Sequence, residues 1–365
     1  MFDGLAKTQP EIAQQLSSLV AEGNFPCSSL FFGPSFSGRM YAASSLTTEL
    51  KIPKENTIIV SDRNHGYRIQ TAINLLKRAK NNTAKRFLKE NIGILLQQYH
   101  GALMEEQTAT AKKRFEDAAK LWELMEGLDG AQERELDGLV EQISKQAMAL
   151  VDANKSSAIS IAQVRSIRDW CATSDMEGQK KLVIIEGLEN ALPSAVNALL
   201  KTLEEPPRDS YFVIISANPG RLLATILSRV RKFKFNALGK DQTRYILTSL
   251  FVDPNKYENL EQFFLSGAGI DDARLRKDAH DLVALKKLEV PALVSELEKN
   301  KAWDLFFSHV LEELYKGETA GQIEPRLAEY LIGEINTMLN KAKTFNQLKR
   351  LTFDFVVYRV KEVLW

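Results

Sequence analysis

Cysteine, histidine and long apolar runs are what this sequence has least of. Two cysteines in 365 residues, Cys27 and Cys171, supply neither a four-thiolate zinc site nor a disulfide framework. That predicts a chain without structural zinc, at home in a reducing compartment. The four histidines, His65, His100, His280 and His309, are scattered without ligand spacing and read as surface or core residues. Apolar runs such as Leu182–Ile185 and Tyr211–Ile215 are only strand-length, whereas a membrane span needs about 20 residues. Met1–Lys7 holds no apolar signal core. The expectation is a cytoplasmic protein with no membrane insertion. An excess of one charge is also lacking: 48 Lys+Arg against 47 Asp+Glu give a net charge of +1. That argues against nucleic-acid binding by bulk electrostatics and leaves room for a local basic patch. At 44% hydrophobic and 26% charged, with 19 Gly and 11 Pro, the composition excludes collagen-like and disordered classes. The length allows two to three domains.

Proline is missing between Pro53 and Pro193. The middle of that interval, about 66–154, is rich in Ala, Leu, Lys, Glu and Gln, which favour helix. Leu75, Leu76, Ala79, Phe87 and Leu88 recur at helical spacing, as do Leu121, Leu124, Met125 and Leu128. Lys77, Arg78, Lys80, Lys85, Arg86 and Lys89 form a basic block. Glu116, Asp117, Glu123, Glu126, Asp129, Glu133, Glu135, Asp137 and Glu141 form an acidic one. Antiparallel packing would neutralise the two, so a helical hairpin or small bundle is expected. Around it, strands are expected at Ser29–Phe32, Thr57–Val60, Leu182–Ile185, Tyr211–Ile215 and Arg231–Phe235. They alternate with helices at Gly38–Leu50, Ile161–Ala172, Pro193–Leu203 and Gly220–Ser228. Apolar strands between helices predict a mostly parallel sheet covered on both faces. After about residue 238 the pattern is helical.

Two segments carry the pattern of nucleotide chemistry, each with defects. Gly33-Pro-Ser-Phe-Ser-Gly38-Arg39-Met40 joins a strand to a helix, the setting of a P-loop, G-x-x-x-x-G-K-[ST]. The glycines let backbone N–H groups face phosphate at a helix N-terminus. The lysine is replaced by Arg39, and the Mg²⁺-binding hydroxyl by Met40, a thioether with no affinity for a hard cation. The alternative is a plain strand-to-helix turn. Leu182–Ile185 followed by Glu186 and Gly187 has the Walker B form, but glycine at the second position cannot act as a base. The bland reading of Glu186 is a polar strand end.

The most specific stretch runs Asn197-Ala-Leu-Leu-Lys-Thr-Leu-Glu-Glu-Pro-Pro207, then the strand 211–215, then Asn218-Pro219, then Thr225-Ile-Leu-Ser-Arg-Val230. It resembles the bacterial clamp-loader branch of the AAA+ proteins. Their signature is a helix ending in L-L-K-x-L-E-E-P-P, a sensor strand and a final S-R-C, whose Cys is here Val230. Ile159-Ser-Ile-Ala-Gln-Val-Arg-Ser-Ile167 resembles the family's I-x-[IV]-x-x-[IV]-R segment. The resemblance is close over about 159–235, looser over 1–60 and faint after 240. A four-cysteine zinc module that such proteins often carry gives way here to the helical insertion.

The resemblance implies an AAA+ α/β domain with a P-loop-type parallel sheet over 1–238, interrupted by the helical insertion at about 66–154. A small helical lid over 239–284 and an all-α collar domain over 285–365 would follow. Ala302–Tyr315 and Tyr330–Leu339 would offer amphipathic faces to partner subunits. The family works in the DNA polymerase III holoenzyme. The implied partners are the gamma or tau ATPase subunits and a delta subunit, with the sliding clamp and primed DNA reached through the complex. The defects at Arg39, Met40, Glu186 and Gly187, with Asp271 at the place of a sensor arginine, resemble a family member that does not hydrolyse ATP. Arg229 would be the arginine finger offered in trans to a neighbour's γ-phosphate. Its bland alternative is a pair with an acid of its own domain. No resident cofactor is expected, with residual ATP or ADP binding at Gly33, Gly38 and Arg39 left open. Two further readings stand beside this one: an active ATPase with Arg39 as phosphate cation, and a nucleic-acid adaptor acting through the basic segment 77–89.

Overall fold

Runs of Ile, Val and Phe, which fit a pleated surface buried on both sides, become five strands: β1 (Ser28–Phe32), β2 (Thr57–Ser61), β3 (Lys181–Glu186), β4 (Ser210–Ser216) and β5 (Arg231–Lys234). The computed structural model describes residues 2–62, 65–104, 109–153, 159–173, 179–344 and 348–365. The strands form one sheet in the order β2-β3-β4-β1-β5, every neighbouring pair parallel. Side chains alternate across it. Phe31, Ile59, Ile184 and Val213 enter the core on one face. Leu30, Ile58, Ile185 and Ile214 enter the core on the other.

The first face is covered by α1 (Asp3–Thr8), α2 (Pro10–Ala21) and α3 (Arg39–Glu49), through Leu5, Leu16 and Leu46. Between β2 and β3 lie α4 (Gly66–Ala79), α5 (Asn82–Leu96), α6 (Ala109–Glu126), α7 (Glu133–Ala153) and α8 (Ile161–Ala172). The second face is covered by α8, α9 (Pro193–Glu204) and α10 (Ala224–Leu227), through Val164, Leu199 and Ile226. Ser160 opens α8 with a capping box, its Oγ accepting from the Gln163 N–H while Gln163 accepts from the Ser160 N–H. The motif at 159–167 is thus an anchored helix start.

Helices α4 to α7 are the expected insertion. They share a core of their own that includes Ile73, Leu88, Leu121 and Ile143. The basic and acidic blocks meet: Lys77 with Glu141 at 2.7 Å, Lys80 with Asp137 at 2.7 Å, and Lys89 with Asp129 at 2.5 Å. The separation from the sheet is incomplete. Residues 97–104 return to it, with Leu103 in the second-face core and the His100 ring 5.0 Å from that of Trp170. Burial pushes the His100 pKa down. The expected boundary at 154 lies outside the described residues.

The chain divides into two compact units, 1–263 and 264–365. The division falls inside α12 (Leu260–Gly267), which follows α11 (Lys240–Ser249), and lies between the expected breaks at 238 and 284. The second unit holds α13 (Asp272–Val283), α14 (Val290–Asn300), α15 (Trp303–Thr319), α16 (Pro325–Thr344) and α17 (Lys349–Leu364). Phe353 of α17 meets Trp303 and Phe306 of α15 at 5.6 Å. No helix among the described residues is long and apolar enough to cross a membrane.

Leu121→Ala should cost about 2–5 kcal/mol in urea unfolding, as a fully buried leucine of the insertion core. Lys77→Ala should cost less than about 1 kcal/mol, because its pair is exposed. Cys27 is exposed, while burial pushes the Cys171 thiol up to about 11. A thiol reagent at mildly alkaline pH should therefore titrate one group in the native chain and two after denaturation.

Candidate nucleotide-type site and arginine surface

In a parallel sheet the strands' carboxyl ends share one edge, where ligand sites are built. Gly33 follows β1, the strand enclosed by β4 and β5. Its φ is +147°, and a Cβ there would collide with the carbonyl oxygen of Phe235. Gly38, at φ +90°, leads into α3. Phe36 between them is left-handed at φ +59°, its ring beneath the Arg68 guanidinium at 5.4 Å. Gln9, buried between α1 and α2, braces the loop. Its amide donates to the Ser37 carbonyl at 3.0 Å and to the Asn236 carbonyl at 2.6 Å, and its Oε1 accepts from the Asn236 N–H at 3.3 Å. Gly33, Gly38 and Arg39 therefore stand in one strand–loop–helix turn, as expected. Arg39 itself is buried.

The groups that would hold and use Mg²⁺ do not fit that role. Met40 lies in the apolar core with Leu5 and Leu46. Glu186 ends β3 and is buried. One oxygen, Oε2, accepts from Ser61 Oγ at 2.8 Å and meets His65 Nε2 at 3.0 Å. Ser61 Oγ and His65 Nε2 are themselves 3.3 Å apart. Both converge on one carboxylate oxygen, so the trio is not the relay of a hydrolase, where the imidazole bridges hydroxyl and acid through different nitrogens. Gly187 has φ +84°, and a Cβ there would run into the Asp62 carboxylate. Asp62 Oδ2 also accepts from Asn190 Nδ2 at 2.6 Å. The space that a side chain at 187 would need is therefore filled by Asp62. Among the described residues no cluster of three His, Cys, Asp or Glu has metal-holding geometry.

Sequence reasoning read His65 as a surface or core residue and passed over Ser61, Asp62, Asn190 and Gln9. Ser61 carried one available signal: it ends the strand paired with β3, and the register sets it opposite Glu186. Asp271, expected at a sensor position, accepts from the Arg274 N–H at 3.1 Å and caps α13.

Arg229 lies between α10 and β5. Its Nη1 donates to the Thr225 carbonyl at 2.9 Å and to Ser228 Oγ at 3.4 Å, and its Nη2 donates to Glu204 Oε1 at 3.2 Å. Its side chain is 29% exposed. Val230, at the position of the motif's cysteine, is buried in the second-face core. No bond joins Arg229 to the loop 33–39 or to Glu186 among the described residues. The structure brings together the P-loop candidates in one turn, and sets apart from it Glu186, at the end of β3, and Arg229, in the turn before β5.

Residues 131–239 match a protein-family model described as DNA polymerase III, delta subunit. The chain is 42% identical over 71 residues to the DNA polymerase III subunit delta-prime of Haemophilus influenzae, covering 20% of this chain and 22% of that protein. It is 33% identical over 98 residues to the DNA polymerase III subunit tau of Escherichia coli K12, covering 27% of this chain and 15% of that protein. The chain thus spans about a quarter of the length of the delta-prime relatives it matches. Against a crystal structure of a DNA polymerase III gamma subunit-related protein from Thermotoga maritima the TM-score is 0.42 at 16% identity, over 96% of this chain and 99% of that one. That likeness is too slight to bear on function.

Gly187→Ala should destabilise the chain by about 1–3 kcal/mol, from left-handed strain and collision with Asp62. Combined with Asp62→Ala, it should cost less than the sum of the single changes, because the second substitution vacates the space. Urea unfolding of the two single variants and the double variant measures this coupling.

Proposed function

We propose that this chain is a delta-prime-like, non-hydrolysing subunit of a bacterial clamp loader in the DNA polymerase III holoenzyme. The family-model match over 131–239 and the similarity to DNA polymerase III subunits support the family assignment. One observation carries the non-hydrolysing part: the chain's own side chains fill the metal and base positions. Met40 is in the core, Ser61 and His65 engage Glu186, and Asp62 stands where a residue beside Glu186 would need room. The partners are gamma or tau ATPase subunits and a delta subunit. The complex loads the sliding clamp on primed DNA with ATP hydrolysed by the neighbours. No resident cofactor or zinc belongs to this chain.

Arg229 supplies the chemistry this subunit retains. A guanidinium is planar, always charged and matched to phosphate oxygens. Delivered across an interface to a γ-phosphate, an arginine is worth about 10³–10⁵ in rate in GTPases. Its partial exposure, close to the surface of its own unit, supports that role.

The active-ATPase reading draws on the similarity to tau. It needs a replacement ligand set for the metal, and among the described residues no group of three His, Cys, Asp or Glu is arranged to supply one. The adaptor reading needs free cations on the basic segment. Three of its six cations, Lys77, Lys80 and Lys89, are each paired with an acid of the insertion.

The purified chain should show no ATP turnover with Mg²⁺. Turnover that disappears in Arg39→Ala would replace this reading with the active ATPase. In a complex reconstituted with cognate partners, Arg229→Ala should lower DNA- and clamp-stimulated ATPase in part and clamp loading by more. Unchanged rates in a normally assembled complex would remove Arg229 as a finger.

A further inference from the structure

Glu204 is an oddly placed acid. It is the last residue of α9, where a carboxylate faces the negative end of the helix dipole and is disfavoured. Its side chain is 57% exposed, so burial does not hold it either. Among the described residues its carboxylate has one partner, Arg229 Nη2 at 3.2 Å. The two lie 25 residues apart and are brought together where α9 meets α10.

Arg229 is gripped from two sides. The Thr225 carbonyl and Ser228 Oγ accept from Nη1, and Glu204 accepts from Nη2. Ser228 is fixed in turn, its Oγ donating to the same Thr225 carbonyl at 3.1 Å. The Arg229 Nε–H is buried and finds no acceptor among the described residues. A long side chain with many rotamers is thereby held with its guanidinium plane set and part of it open to solvent. An ion pair this exposed adds little to fold stability, so its consequence lies in orientation.

We propose that Glu204 is a positioning residue for Arg229. Its carboxylate takes one Nη2 N–H and fixes the guanidinium plane, so that the second Nη2 N–H is held ready for a phosphate on a neighbouring subunit. The ordering cost of the arginine is met before assembly, which is preorganisation. This rests on the reading of Arg229 given above.

The test uses complexes reconstituted from the full chain and its cognate subunits. The readout is the part of the stimulated ATPase that Arg229→Ala removes. Glu204→Ala should lower that part by roughly 10-fold or more, within the loss of up to about 10²-fold that a misplacement of about 1 Å can bring. The fall should be in kcat, with KM for ATP unchanged. Glu204→Gln keeps an accepting oxygen and should retain an intermediate rate. On the Arg229→Ala background, Glu204→Ala should change nothing further. The thermal midpoint of Glu204→Ala should stay close to that of the wild-type chain. Three results overturn the proposal. Arg229→Ala lowering the rate while Glu204→Ala leaves it unchanged defeats the inference and spares the finger. A rate raised by Glu204→Ala makes Glu204 a competitor of phosphate. No effect of Arg229→Ala removes the finger reading itself, and the inference with it.

Discussion

A parallel sheet covered on both faces commits nearly every strand side chain to packing. Leu30 and Phe31, or Val183 and Ile184, point to opposite cores and have no freedom for chemistry. Polar groups are left the strand ends. There the sheet order sets which groups can meet: β2 beside β3 puts Ser61 across from Glu186, while β4 stands between β3 and β1, the strand that leads into the loop 33–38. A buried carboxylate in such a place must be hydrogen-bonded. Ser61 and His65 meet that requirement from the chain itself, which is why the same edge that could bind a metal is taken up with its own side chains.

The fold was largely legible from the sequence, for reasons that are local. Each strand is a short apolar run between turn signals, and each was placed to within about a residue, as with Leu182–Ile185 inside β3. Segregated charge foretold the pairing of Lys77, Lys80 and Lys89 with the later acids. The return of 97–104 to the sheet was not legible, because Leu103 and His100 show no periodicity that separates them from the bundle around them.

The candidate site divides in the same way. Gly33, Gly38 and Arg39 are contiguous and carry a motif. The partners of Glu186 come from the end of β2 and the turn after it, more than a hundred residues earlier in the chain, and strand register unites them. Gly187 read as a lost base. In three dimensions it is also a necessity, since Asp62 takes the space its side chain would need. The Arg229 partner was foreseen as a class, an acid of its own domain, while the finger reading was kept. Glu204 answers to the first description without removing the second.

The strand order also has a consequence for how a ribosome delivers this chain. β1 is made first of the five strands, yet both its neighbours, β4 and β5, are encoded after residue 209, and β2 waits for β3 at residue 181. No strand pair can close until the stretch between them has been made. That stretch holds the four-helix insertion, whose helices share a core of their own, with 97–104 as its return to the sheet. Local contacts form fast and distant ones slowly, and chains fold as they are made. The insertion is thus placed to fold during the wait. With α4 packed against α7, it draws the ends of a long detour together before the sheet assembles.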